Sequence, residues 1–120
     1  MTVILFNNDE SESSVSATGW NTKLSISGNI ESSGEFIVFV TAEFTGTATN
    51  RGVATRVLVD EVERGYDSFI PQIADSYRTY TSMGLMNLNA GEHSIRIEFG
   101  CNQSGQTAKC RRARILVMKH

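Results

Sequence analysis

The stretch Phe99–Arg112, FGCNQSGQTAKCRR, holds the only two cysteines of the chain, with Gly105 between them. A structural zinc site needs four ligands, and a catalytic one needs three and a water. The chain adds only His93 and His120, both apart from this stretch. A redox pair sits closer together, as in Cys-x-x-Cys. Two readings remain: buried thiols packed as small apolar groups, or a disulfide across a turn. If Gly105–Gln106 forms a two-residue hairpin loop, glycine stands first, as a type II′ turn prefers. Ser104 then pairs with Thr107, and Cys101 falls opposite Cys110 in a non-hydrogen-bonded pair, where side chains approach. Cys101 and Cys110 are therefore a candidate disulfide, although synthesis in a reducing compartment favours free thiols. The same register would turn Arg112 and Arg114 onto the face of Phe99 and Ile97. One extra residue near Arg111–Arg112, a β-bulge, returns Ala113, Ile115 and Val117 to the interior.

Other chemistry is sparse. There is no glycine-rich phosphate loop, nucleophile elbow or His-x-x-x-His pair, so no catalytic centre, cofactor or metal is expected. His93 opens a strand after a turn and reads as a surface histidine. The clusters Asp9/Glu10/Glu12 and Asp60/Glu61/Glu63 carry the oxygen ligands calcium uses, but neither has the EF-hand pattern, and solvated loop carboxylates are the plainer reading. Trp20, Tyr66, Phe69, Tyr77 and Tyr80 offer faces on which sugars stack; at strand spacing such residues more often belong to a core or an interface. Arg111, Arg112 and Arg114 suit an acidic partner or a solvated strand face.

The elements that position these residues are strands. The chain has 120 residues, one proline and ten glycines, and its apolar positions favour Val, Ile and Phe, a β composition. A net charge of −2 gives no footprint for nucleic acid, and no apolar run approaches the ~20 residues that span a bilayer. MTVILFNNDE lacks the basic start and cleavage site of an export signal. Glu35–Phe44 is a continuous apolar run suited to a central strand covered on both sides. Val3–Phe6, Ser16–Ser27, Val53–Val62, Tyr77–Leu88, Ser94–Phe99 and Ala113–Met118 read as further strands. NNDESESS reads as a loop, RGYDSFIPQIADS as a long irregular connection, and DE at 60–61 as lying near a turn. About eight short strands predict an all-β, single-domain β-sandwich or short jelly roll over residues 1–120. Glu35–Phe44, Ala113–Met118 and Val3–Phe6 are apolar on both faces, so a second cover is expected: in a chain without helices, another subunit, with loops such as Gly65–Ser76 folded over a monomer as the lesser alternative.

Three stretches, SGEFIVFVTAEF, NRGVATRVLVDE and LNAGEHSIRIEFGCNQSGQTAKCRRARILVM, resemble small virion proteins of tailed bacteriophages and prophages. That group has tumour-necrosis-factor-like jelly rolls that assemble as trimers, and some members decorate capsids. The resemblance implies a non-enzymatic viral structural protein. On that reading it is a homotrimeric capsid decoration (head cement) protein that binds the phage major capsid protein, made in the host cytoplasm and displayed on the virion. The alternative it leaves open is a tail or spike module binding a host cell-surface glycan. A decorated virion meets an oxidising exterior, which would reconcile a Cys101–Cys110 bond with cytoplasmic synthesis.

Overall fold

The computed structural model describes residues 2–120, in which nine strands and no helix form. They are β1 (Thr2–Asp9), β2 (Ser13–Val15), β3 (Gly19–Ile30), β4 (Gly34–Gly46) and β5 (Val53–Val59), followed by β6 (Val62–Phe69), β7 (Arg78–Leu88), β8 (Gly91–Cys101) and β9 (Ala108–Lys119). One antiparallel sheet has the order β1-β9-β4-β7, with β2 also on β9; the other has the order β3-β8-β5-β6. Because β1 and β2 share one neighbour, nine segments fill eight positions, the two facing sheets of a jelly roll. The β-sandwich expected from sequence is the fold.

Period-two alternation places the core between the sheets. On β4, Phe36, Val38, Val40, Ala42 and Phe44 are buried, as are Ile95, Ile97 and Phe99 on the facing β8. Each of these side chains larger than alanine contributes about 1.5–3 kcal/mol. The central-strand expectation for Glu35–Phe44 holds in position, between β9 and β7. Burial on both sides does not: Ile37 and Phe39 are only half-covered on the outer face.

The final hairpin is not formed. β8 and β9 belong to different sheets, and residues 102–107 cross between them. Alternation shows which face of a strand is buried but not which strand lies beside it. Phe99 and Ile115 seek the same core from opposite sides, so the two strands cannot share a sheet. Gly105 does adopt the left-handed conformation a turn requires, with φ of 88°. Cys101 instead pairs with Gly19, and Cys110 with Ser13 and Phe44. Both are free, buried thiols. Burial pushes the Cys110 thiol up to about 12, which suits an inert packing group rather than a nucleophile.

The bulge is present where expected. Between β9 and β4 the register shifts from Thr41↔Arg114 to Glu43↔Arg111, and Arg112 has φ of 51°. Cys110, Ala113, Ile115 and Val117 all point inward as a result. Two loop assignments are corrected. Residues 64–69 of the supposed irregular connection belong to β6, an edge strand whose alternation of Tyr66 and Ser68 against Asp67 and Phe69 is too polar to stand out. NNDESESS is mostly β1 and β2, held by pairing with β9 rather than by propensity. The turn at Asp60–Glu61 is as read, with both residues at positive φ.

Candidate functional site

The outer face of the β3-β8-β5-β6 sheet is built in cross-strand rows. One row reads Trp20–Gly100–Ala54–Ser68, and the next Thr22–Glu98–Arg56–Tyr66. The first row is small in its middle. Gly100 can carry no side chain there, since a Cβ would lie 2.0 Å from the Gly19 carbonyl oxygen. Trp20 from one edge strand and Tyr66 from the other therefore lean across this low floor until their rings meet edge to face, with centroids 6.2 Å apart. The result is a groove of about 360 Å³, closed along its length by Phe69, Ile70 and Asn102. Phe69 forms the wall toward the core, where it packs edge to face on Phe44 at 5.1 Å.

Charged groups flank the rings. Glu98, almost wholly buried, accepts from Arg56 Nε at 2.8 Å and from Arg96 Nε at 3.0 Å. Arg96 is also paired with Glu61, and Arg56 with Glu63 at 3.4 Å. This chain fixes the Arg56 guanidinium 4.3 Å above the Trp20 ring, a cation–π contact that holds the indole in place. Trp20 is 37 % and Tyr66 54 % exposed, much for rings of this size. The groove thus offers aromatic surface beside the polar side chains of Ser68 and Asn102, a combination suited to a ligand with apolar C–H faces and hydroxyl edges.

Of the five aromatic residues marked by sequence, Trp20, Tyr66 and Phe69 converge here. Tyr77 and Tyr80 do not: Tyr77 hydrogen-bonds to Glu12 beneath Arg111, whose guanidinium lies 3.6 Å from its ring centroid, and Tyr80 is buried. The carboxylate clusters are engaged one by one with neighbours. Asp9 meets Lys23, Glu10 meets Arg114, Asp60 meets His93 and Glu61 meets Arg96. Glu43 takes up Arg111 and Arg112, so the basic cluster is largely spent within the fold. Among the described residues no group of three potential metal ligands converges.

His93 is not a free surface histidine. Its Nδ1 lies 2.6 Å from Asp60 Oδ2 and its Nε2 2.6 Å from the Asn89 carbonyl. It ties the β5–β6 turn to the β7–β8 turn, and both acceptors are satisfied only when both nitrogens carry protons. The Asp60 hydrogen bond, with that to Asn89, raises its pKa above the ordinary histidine value. A folded-state pKa raised this way adds stability below pH ~6.5 that is lost as pH rises through the higher folded value. Wild-type protein is therefore expected to lose stability to urea between about pH 6 and 8. His93→Gln, which cannot titrate, should flatten that slope; an unchanged slope would remove His93 as its source.

Two residues of consequence gave no local signal. Lys23 has no exposed side-chain surface and donates to Asp9 Oδ2 at 3.1 Å, the Ser11 carbonyl at 2.6 Å and Ser13 Oγ at 2.8 Å. Gln106, buried beside Gly46, hydrogen-bonds to Ala48 N, Ala48 O and Arg51 O. It thereby holds the loop 47–52, whose Gly52 borders the groove.

The sequence matches no family model and no curated protein. Solved structures share the fold at low identity. Dimeric latent PorU from Porphyromonas gingivalis superposes with a TM-score of 0.60 at 13 % identity, over 95 % of this chain and 12 % of that one. The insecticidal delta-endotoxin Cry8Ea1 from Bacillus thuringiensis gives 0.54 at 11 %, over 91 % and 19 %. The CBM36-1 domain of a multidomain xylanase, from the hindgut metagenome of Trinervitermes trinervoides, gives 0.51 at 12 %, over 85 % and 74 %. The chain thus spans about an eighth of PorU and a fifth of the endotoxin, and most of the xylanase domain. These similarities establish the β-sandwich.

Proposed function

We propose that this chain is a non-catalytic binding module that seats a glycan in the Trp20–Tyr66 groove. The observation that carries the reading is the pair of exposed rings held over the Gly100–Ala54 floor, with Arg56 fixed beside them. The ring surface that Arg56 leaves open takes the C–H face of a pyranose, while Ser68 and Asn102 reach hydroxyls. The likeness of fold to a CBM domain supports the reading. Combined with the resemblance to phage virion proteins, it favours a tail or spike module that binds a cell-surface glycan. Capsid decoration, the second reading, draws instead on the outer face of the other sheet, whose apolar surface suits a protein neighbour.

Trp20 is the only tryptophan, so its emission reports on the groove directly. Titration with a panel of soluble oligosaccharides should shift or quench that emission saturably for at least one sugar class. Tyr66→Ala, which keeps the reporter, should weaken binding at least tenfold, about 1.4 kcal/mol, with the urea midpoint nearly unchanged. Failure of every glycan on a broad array, with folded protein, would overturn the proposal.

A further inference from the structure

The outer face of the β1-β9-β4-β7 sheet carries two adjacent apolar rows. One runs Phe6–Leu116–Phe39–Met83 across all four strands. The next runs Val3–Met118–Ile37–Leu85. The edge positions are the most open, with Phe6 at 56 %, Val3 at 55 %, Met83 at 69 % and Leu85 at 58 % exposure. Polar residues frame the rows: Asn8, Arg114, Thr41 and Thr81 on one side, Glu35 and Asn87 on the other.

The chemistry of the face narrows its occupant. The rows offer no donor or acceptor for a sugar. Arg114 in the frame is already paired with Glu10 at 2.8 Å, and the opposite frame carries the acidic Glu35, an arrangement poorly suited to an anionic lipid surface. A second copy of the chain, however, fits. Let two such faces meet across a two-fold axis parallel to the strands. β1 of one copy then lies over β7 of the other, and β9 over β4, with the rows aligned. Phe6 meets the partner's Met83, Leu116 the partner's Phe39, Val3 the partner's Leu85, and Met118 the partner's Ile37. Each phenyl ring thus faces an aliphatic or thioether side chain, a favourable contact for both. Every contact occurs twice, as an isologous interface requires.

The size is also sufficient. Four strands at ~4.8 Å and two rows at ~7 Å give an apolar centre of about 270 Å². With one polar row on each side the face covers about 500 Å², or about 1,000 Å² over both partners, the lower bound for a specific interface. A two-fold partner brings both apolar rows into contact at once, each row meeting its own counterpart.

We infer that this face is the interface of a two-fold homodimer, independent of what the groove binds. The test is light scattering coupled to size exclusion between 5 and 200 µM. The expected mass is twice the 13.2 kDa of one chain, dissociating at the dilute end. The double variant Met83→Lys/Leu85→Lys changes only exposed residues of an edge strand and should give one-chain mass, with wild-type circular dichroism and tryptophan emission. Phe6→Lys, on the opposite edge, should do the same. One-chain mass for the wild type at 200 µM, a three-chain mass, or a dimer that survives both variants would each overturn the inference.

Discussion

Lys23→Ala is expected to destabilise the protein by about 2–3 kcal/mol, since the buried ammonium makes charge-assisted hydrogen bonds while the Asp9 carboxylate it leaves behind is partly exposed. The lysine sits at a register shift in β3, where Thr22 pairs with Glu98 and Leu24 with Ile97. Alternation from the outward Thr22 turns Lys23 inward and would turn Leu24 out again; with the extra residue, Lys23 and Leu24 are both buried. All three ammonium protons then find acceptors on β1, β2 and the turn between them. This one side chain laces the two sheets along an edge of the sandwich. Its removal leaves a cavity and three acceptors without a donor. Urea denaturation with an unchanged m-value would measure the loss. Lys23→Met should cost less, about 1–2 kcal/mol, because it fills the space and the acceptors lie close enough to the surface to be hydrated. If alanine and methionine cost the same and less than 1 kcal/mol, the lysine is not the lace described.

Gln106→Ala is expected to cost about 2–3 kcal/mol. Three backbone groups lose their partner, each worth about 1–3 kcal/mol if it stays dry, and the loop 47–52 can recover part of that by moving toward water. The change has a second readout. Amide exchange in residues 47–52 should accelerate far more than in β8, since local opening no longer breaks the clamp. On the proposed reading of the groove, affinity for its ligand should fall with it, because Gly52 forms part of the border. A variant that loses stability uniformly, with no preferential exchange in this loop, would show that Gln106 acts as core filling and not as a clamp.

Strand positions were legible in the sequence wherever the apolar pattern was strong, as in the continuous run Glu35–Phe44 and the alternating Ser94–Phe99. Partners were not. The bulge near Arg112 shows why. Its need follows from the spacing of Cys110 and Ala113, three residues apart and both apolar, so it was legible even though the strand assumed beside it was wrong. The Gly105 turn was also legible, but whether a turn joins neighbours in one sheet or crosses between two depends on distant strands. The groove was half visible. Its aromatic residues stood out by type, whereas their convergence depends on register across four strands and on the small residues Gly100 and Ala54. Lys23 and Gln106 were invisible, since nothing local distinguishes a buried lysine or glutamine from a solvated one.

The place of β9 bears on how the molecule is made. β9 lies between β1 and β4 and supplies Cys110, Ala113, Ile115 and Val117 to the interior, yet it follows every strand it joins. On the ribosome, β1 and one edge of β4 must wait without a neighbour until residues 108–119 emerge. The first sheet is therefore completed after translation of this region, by long-range closure, which is slow compared with local pairing. During that interval the apolar outer rows and an open strand edge face the cell together, and this is when the chain is most exposed to mispairing with its own kind. Slower synthesis of the segment before residue 108 would lengthen the wait, so yield should respond to expression temperature and chaperone supply more steeply than the stability of the finished sandwich suggests.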